Sequence, residues 1–113
     1  MSEYYPDNWI LLEFRQDNNI TRRAVLAGWY GGYLGSDEWR LSSGVTKIVE
    51  TETGYEIHNE SGSIYYCNKR NMRLSGVTGP IMNSWLSEAE KSKDSITITV
   101  YTEEDIKNAK FWS

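Results

Sequence analysis

Apolar and polar residues alternate along the first part of this chain, which is the pattern of half-buried β-strands. Between residues 9 and 16, Ile10, Leu12 and Phe14 are directed to one side, and the intervening residues are directed to the other. The segment 17–19, Asp-Asn-Asn, has the composition of a turn. Similar strand patterns are found at 22–33, 38–41, 45–51, 55–59 and 64–68. The pattern predicts an antiparallel meander.

The segment 22–33 also permits a second interpretation, a short helix that begins at Thr21. Its glycines at 28, 31 and 32 weigh against the helix, because glycine destabilises a helix interior. We therefore expect a strand that glycine makes irregular.

After residue 76 the apolar residues recur at helical spacing. The predicted helix 80–91 carries on one face Ile81, Met82, Trp85, Leu86 and Ala89. Alternation returns at 95–101 and predicts a strand, and Thr102 with Asp105 predicts a capped helix over about 103–110. The fold class is therefore α+β: an antiparallel meander of about six strands, one amphipathic helix packed on a face, and a short C-terminal helix.

The length of 113 residues predicts a single domain over 1–113 with one core. The residues expected in that core are Ile10, Leu12, Phe14, Val25, Trp29, Ile57, Trp85, Leu86, Ile96, Ile98 and Val100.

The net charge of −4 is spread over the chain without a basic half or an acidic tail. Attraction to double-stranded DNA or to an anionic membrane is therefore not expected. Cys67 is the only cysteine, which excludes an internal disulfide. The N-terminal segment lacks the basic start and apolar run of a signal peptide. We expect a cytoplasmic protein that does not enter a membrane.

The segment 28–40 alternates glycines with large aromatic residues. Tryptophan, tyrosine and arginine are enriched at binding hot spots, so we interpret Tyr30, Tyr33, Trp39 and Arg40 as a candidate protein-binding surface. Alternation along a strand directs Trp29 and Tyr33 together toward the core and Tyr30 away from it. The competing interpretation is that these rings pack under the helix at 80–91.

A second candidate site combines Glu56, His58 and Cys67, the residue types of a cysteine nucleophile and its base. A two-residue turn at Ser61-Gly62 would bring these residues to one side of a hairpin, and we prefer that register because it pairs apolar residues. A three-residue loop ending in a left-handed Gly62 would instead send His58 and Cys67 to opposite faces. An ordinary polar strand with a buried cysteine is the simpler interpretation.

Other chemistry has little support in the sequence. One histidine and one cysteine cannot build a closed zinc site, and the glycines match no phosphate-binding loop, so we expect no metal and no cofactor. The resulting hypothesis is a small non-enzymatic interaction module of accessory or inhibitor type, which binds a protein partner or forms a homo-oligomer. The alternatives are a small enzyme or ligand-binding domain using His58 and Cys67, and a single-stranded nucleic-acid binder that stacks bases on rings beside arginines.

Overall fold

The computed structural model describes residues 2–30, 38–76, 78–91 and 95–108. Within these ranges the strands are β1 (Glu3–Tyr4), β2 (Asn8–Gln16), β3 (Asn19–Trp29), β4 (Glu38–Leu41), β5 (Val45–Glu50), β6 (Gly54–Asn59), β7 (Ile64–Asn68) and β8 (Ile96–Val100). The helices are α1 (Thr78–Lys91) and α2 (Glu103–Asn108), and a single 3-10 turn covers Lys69–Asn71. The α+β class and both helices confirm the prediction, and the strand pairing is antiparallel except between β1 and β7, which are parallel.

The strands form two four-stranded sheets, whereas the sequence pattern suggested one. Sheet 1 has the order β1-β7-β6-β5, and sheet 2 has the order β4-β3-β2-β8. The chain crosses between them at Ser42, whose hydroxyl accepts a hydrogen bond from Val25 N at 2.8 Å and whose N donates to Val25 O at 2.9 Å. These bonds hold the end of β4 on sheet 2 while the next residues enter sheet 1.

The core lies between the two sheets, where alternate residues of each meet. Sheet 2 contributes Trp9, Leu11, Val25 and Ala27, and sheet 1 contributes Ile48, Tyr55, Ile57, Tyr65 and Cys67. Tyr101 and Ile106 of the C-terminal segment complete it. Trp9 also joins the sheets directly, because its indole Nε1 donates to Asn68 O at 2.8 Å.

Helix α1 covers the other face of sheet 2. Met82 is buried there against Ile10, Leu12 and Leu26, so the prediction that the amphipathic helix packs on a sheet face is confirmed. Partly buried side chains surround this cluster: Phe14, Leu41, Trp85 and Ile98. Within the described ranges, neither helix is long and apolar enough to cross a bilayer.

For three residues, the prediction that they lie in the core is wrong. Leu86, Ile96 and Val100 are 37%, 37% and 41% exposed. The last two belong to β8, which is an outer strand of its sheet. An outer strand has a neighbour on one side only, so alternation correctly identified a strand but could not show that its apolar face lies at a margin.

The strand interpretation of the segment after Thr21 is confirmed, since β3 extends from Asn19 to Trp29. Gly28 is explained by close packing: a Cβ at this position would lie 2.5 Å from Asn8 Oδ1 on the paired strand. The predicted cap of α2 is also confirmed, because Thr102 N donates to Asp105 Oδ2 at 2.9 Å and Asp105 N donates to Thr102 Oγ1 at 3.1 Å.

Candidate functional site

The hairpin of β6 and β7 does not have the preferred register. Ile57 pairs with Tyr65 and Glu56 pairs with Tyr66, which is the alternative register with the longer loop. Gly62 has φ +89°, a left-handed conformation that glycine adopts without steric cost. The extra loop residue shifts the pairing by one, and every side chain of one strand changes its face.

As a consequence, His58 and Cys67 lie on opposite faces of sheet 1. Cys67 is 2% exposed and belongs to the core, and burial raises the pKa of its thiol. A thiol that stays protonated is a poor nucleophile. Glu56 and His58 remain together on the outer face, with Glu56 Oε1 3.8 Å from His58 Nε2. The predicted catalytic grouping of Glu56, His58 and Cys67 is therefore not formed.

The predicted aromatic binding surface is divided between two faces of sheet 2. Trp39 pairs with Gly28 and Arg40 pairs with Ala27, so the two side chains are directed to opposite sides of β4. Trp39 is on the side of α1, 44% exposed, with its ring edge-on to Trp85 at 5.8 Å between centroids. The guanidinium of Arg40 lies on the other side, above an aromatic ring and 4.9 Å from its centroid.

Two other aromatic residues of this segment lie near the end of β3. Tyr30 is 52% exposed, as the alternation predicts, and its hydroxyl accepts a hydrogen bond from Arg73 Nη2 at 3.4 Å. Trp29 is only half-buried, with its ring centroid 6.0 Å from that of Tyr4. Tyr33 lies outside the described residues.

An apolar cleft of about 530 Å³ lies between α1 and sheet 2. Its apolar lining consists of Phe14, Leu41, Trp85, Ala89, Ile96 and Ile98, and its polar lining consists of Arg15, Gln16, Thr21, Arg22 and Glu88. Phe14 and Ile98 are directly paired across β2 and β8 and form its floor.

The cleft results from the way α1 meets the sheet. Met82, near the start of the helix, is buried against the centre of sheet 2. Trp85 and Ala89 are one and two turns further along the same face, and both are only half-buried. The second half of α1 therefore forms a wall of the cleft, and Trp39 extends this wall through its contact with Trp85.

Two arginines contribute positive charge to the cleft. Arg15 is neutralised in part by Glu13, whose carboxylate is 2.6 Å from Arg15 Nε. Arg22 donates to the backbone carbonyl of Ser42, a neutral acceptor. Glu88 supplies one negative charge from α1. Among the described residues, no acidic side chain forms an ion pair with Arg22.

A buried ionic cluster, which the sequence pattern did not predict, occupies the opposite face of sheet 2. Glu13 is 4% exposed and accepts hydrogen bonds from Tyr101 Oη and from Arg15 Nε, while Arg23 Nε is 3.4 Å away. Burial raises the pKa of Glu13, but the hydrogen bonds and the two arginines outweigh it and hold that pKa below its usual value. Because every part of this cluster is engaged internally, its role is structural.

No group of three or more His, Cys, Asp or Glu side chains in the described part of the chain is arranged to hold a metal ion. Comparison with known proteins finds no similarity: no family model matches the sequence, and no characterised protein or solved structure is significantly similar to it. Any function must therefore be inferred from the surface of this chain, on which the cleft beside α1 is an apolar opening of about 530 Å³.

Proposed function

We propose that this protein is a small non-enzymatic interaction module, of accessory or inhibitor type, that binds a protein partner in the cleft between α1 and sheet 2. The observation that carries the proposal is that α1 covers only part of the apolar face of sheet 2. Phe14, Trp85 and Ile98 remain partly exposed around about 530 Å³ of open space. Exposed apolar surface of this kind marks interaction sites in stable proteins.

The cleft also defines the chemistry of the partner. Its floor and walls are apolar and aromatic, which suits a bulky aliphatic or aromatic side chain. Arg22 at its margin carries a charge that Ser42 O does not neutralise, and it would pair with a carboxylate. The expected partner segment therefore presents a large apolar residue next to Asp or Glu.

Several arguments favour a protein partner over the alternatives. The net charge is −4, which opposes attraction to a nucleic-acid backbone. Two of the cationic side chains that could serve a nucleic acid already have internal contacts: Arg40 lies over an aromatic ring, and Lys69 pairs with Glu50. The enzyme alternative depended on His58 acting with Cys67, and these residues lie on opposite faces of sheet 1.

The test is selection of a phage-displayed random peptide library on the intact protein. We expect recovered peptides to share a bulky apolar residue beside an acidic one. Their affinity is then measured by titration calorimetry against Ala89→Trp, which fills the cleft, and against Arg22→Glu, which reverses its charge. We expect each substitution to weaken binding by about tenfold or more, which corresponds to about 1.4 kcal/mol.

Matched controls separate the cleft from the rest of the surface. Ser87→Trp adds the same ring on an exposed position of α1, and Arg73→Glu reverses an exposed charge away from the cleft. Both variants should bind the peptides as the natural protein does. Peptides that bind Ala89→Trp and Arg22→Glu undiminished, or a library from which nothing is enriched, would contradict the proposal.

A further inference from the structure

The outer side of β8 offers unpaired backbone groups. Tyr101 N donates to Leu11 O at 2.9 Å, and Asp17 N donates to Ser95 O at 3.4 Å, so the odd-numbered residues of this segment bond to β2. In an antiparallel ladder the alternate residues direct their N–H and C=O groups the other way. These residues are Ile96, Ile98 and Val100. No strand among the described residues pairs with this side of β8.

β8 also lacks the features that protect the other outer strands. Edge strands usually avoid pairing with other chains by being short or by carrying charges. β1 has two residues, β4 carries Glu38 and Arg40, and β5 carries Lys47 and Glu50. The sequence of β8 is Ile-Thr-Ile-Thr-Val, without a charge or a proline. It is therefore the outer strand that is best suited to accept another strand.

The sequence of β8 is nearly the same in both directions about Ile98. An antiparallel copy would place Ile96 opposite Val100 of the second copy, and Thr97 opposite its Thr99. Apolar residues would then meet apolar residues on the α1 side, where Ile96 and Val100 are 37% and 41% exposed. Threonines would meet on the other side, and such cross-strand pairs stabilise a sheet.

We propose that two copies of this chain associate through β8, antiparallel, about a two-fold axis at Ile98. The outward N–H and C=O groups belong to the even-numbered residues, and this arrangement pairs even residues with even residues. A shift by one residue would lose those hydrogen bonds and would bring Thr97 opposite Ile98. Sheet 2 would continue across the axis into the same sheet of the second copy. Ile96 and Ile98 also line the proposed peptide cleft, but the association depends on the outward backbone groups of β8 and needs no peptide in that cleft.

The first experiment uses the register itself. Thr97→Cys and Thr99→Cys are made in separate proteins. Both positions should tolerate the substitution, because they are exposed and neither side chain belongs to the core. In the proposed dimer these residues form a non-hydrogen-bonded pair with Cα atoms about 4.5 Å apart, a distance that a disulfide spans. A mixture of the two variants, oxidised with diamide, should give a covalent heterodimer on a non-reducing gel.

Each variant alone is the matched control. Residue 97 would face residue 99 of the second copy and not its own counterpart, so neither variant should cross-link with itself at a comparable rate. Cys67 is present in all samples and is buried. Equal cross-linking of the single variants and the mixture would overturn the proposed register, and absence of any heterodimer would overturn the association.

The second experiment removes a backbone donor. Val100→Pro deletes an outward N–H without breaking a bond to β2, and Val100→Ala removes similar apolar surface but keeps the donor. Sedimentation equilibrium over a concentration series should show the mass of the natural protein rising from 13.1 kDa toward twice that value. Val100→Pro should weaken association by about tenfold or more, and Val100→Ala by clearly less. A mass that stays monomeric at every concentration contradicts the proposal. Peptide binding in the cleft is tested separately, by the effect of Ala89→Trp on peptide affinity.

Discussion

The two faces of sheet 2 are built from alternate residues of the same strands, yet they are covered to different extents. On the face toward sheet 1, Trp9, Leu11 and Val25 are all 0% exposed. On the face toward α1, Leu12 is equally buried, but Phe14, next in the same row, lines an open cleft.

The difference follows from the size of the covering element. A sheet of four strands spaced about 4.8 Å apart is about 15–19 Å wide, and a second sheet can match that width. A helix with its side chains covers only about 10 Å. α1 therefore seals one part of its face and leaves the cleft and the apolar side of β8 open. The face toward sheet 1 is therefore a sealed face, and the face toward α1 is the one on which binding is proposed.

The largest expected effect tests this division with one substitution at two places. Leu11→Ala in the sealed face should lower the free energy of unfolding by about 3–5 kcal/mol, because it leaves a cavity. Leu41→Ala in the cleft should cost only about 1–2 kcal/mol, because that side chain is already partly in contact with water. Urea denaturation of both variants measures the difference. Equal losses would show that the helix side is as tightly packed as the sandwich side.

The next-largest expected effect concerns the carboxylate of Glu13, which is buried on the sealed face. The pKa of Glu13 is held below its unfolded value of about 4.5, so its ionised form stabilises the fold. That contribution is fully present above the unfolded pKa and is lost as the pH falls through the lower, folded-state value. Glu13→Gln should therefore cost about 2 kcal/mol at pH 7, and the difference from the natural protein should shrink as the pH is lowered toward about 3.

Urea midpoints at several pH values between neutral and about pH 3 measure the trend. Glu52→Gln, which removes one negative charge from an exposed turn, is the control. A cost of Glu13→Gln that does not change with pH would mean that the carboxylate is not the source of the stability.

The smallest expected effect compares two thiols. Cys67→Ser should lower the free energy of unfolding by about 1–2 kcal/mol, because it buries a hydroxyl in a place that provides no hydrogen-bond partner for it. In the natural protein the Cys67 thiol should react with an aromatic disulfide reagent only as fast as the fold opens, whereas an Ala89→Cys thiol in the cleft should react on mixing. Absorbance of the released thiolate measures both rates. Rapid reaction of Cys67 would contradict the sealed face.

Much of the fold was predictable from local pattern. Alternation in β2, β6 and β8 identified these strands, helical spacing identified α1, and Thr102 with Asp105 identified the start of α2. The division into two sheets was not predictable, because the bonds between Ser42 and Val25, which hold the end of β4 on sheet 2 where the chain leaves for sheet 1, join residues far apart in the sequence.

The candidate sites depended still more on long-range placement. Cys67, His58 and Glu56 were correctly assigned to one hairpin, but a single extra residue in the loop at Gly62 decided their faces. Trp39 and Arg40 are adjacent in sequence, and the strand geometry of β4 separates them. Whether Tyr30 and Trp39 take part in binding stays a prediction.

By itself, the sequence predicted both helices and every strand described here except β1, because alternation, helical spacing and capping act over a few neighbouring residues. It also predicted that Tyr30 is directed away from the core, and Tyr30 is 52% exposed. Only the tertiary structure decided which apolar residues are sealed and which line a cleft. That outcome depends on how widely one element covers another and on which strand lies at the edge of a sheet, and both are set by contacts between residues far apart in the chain.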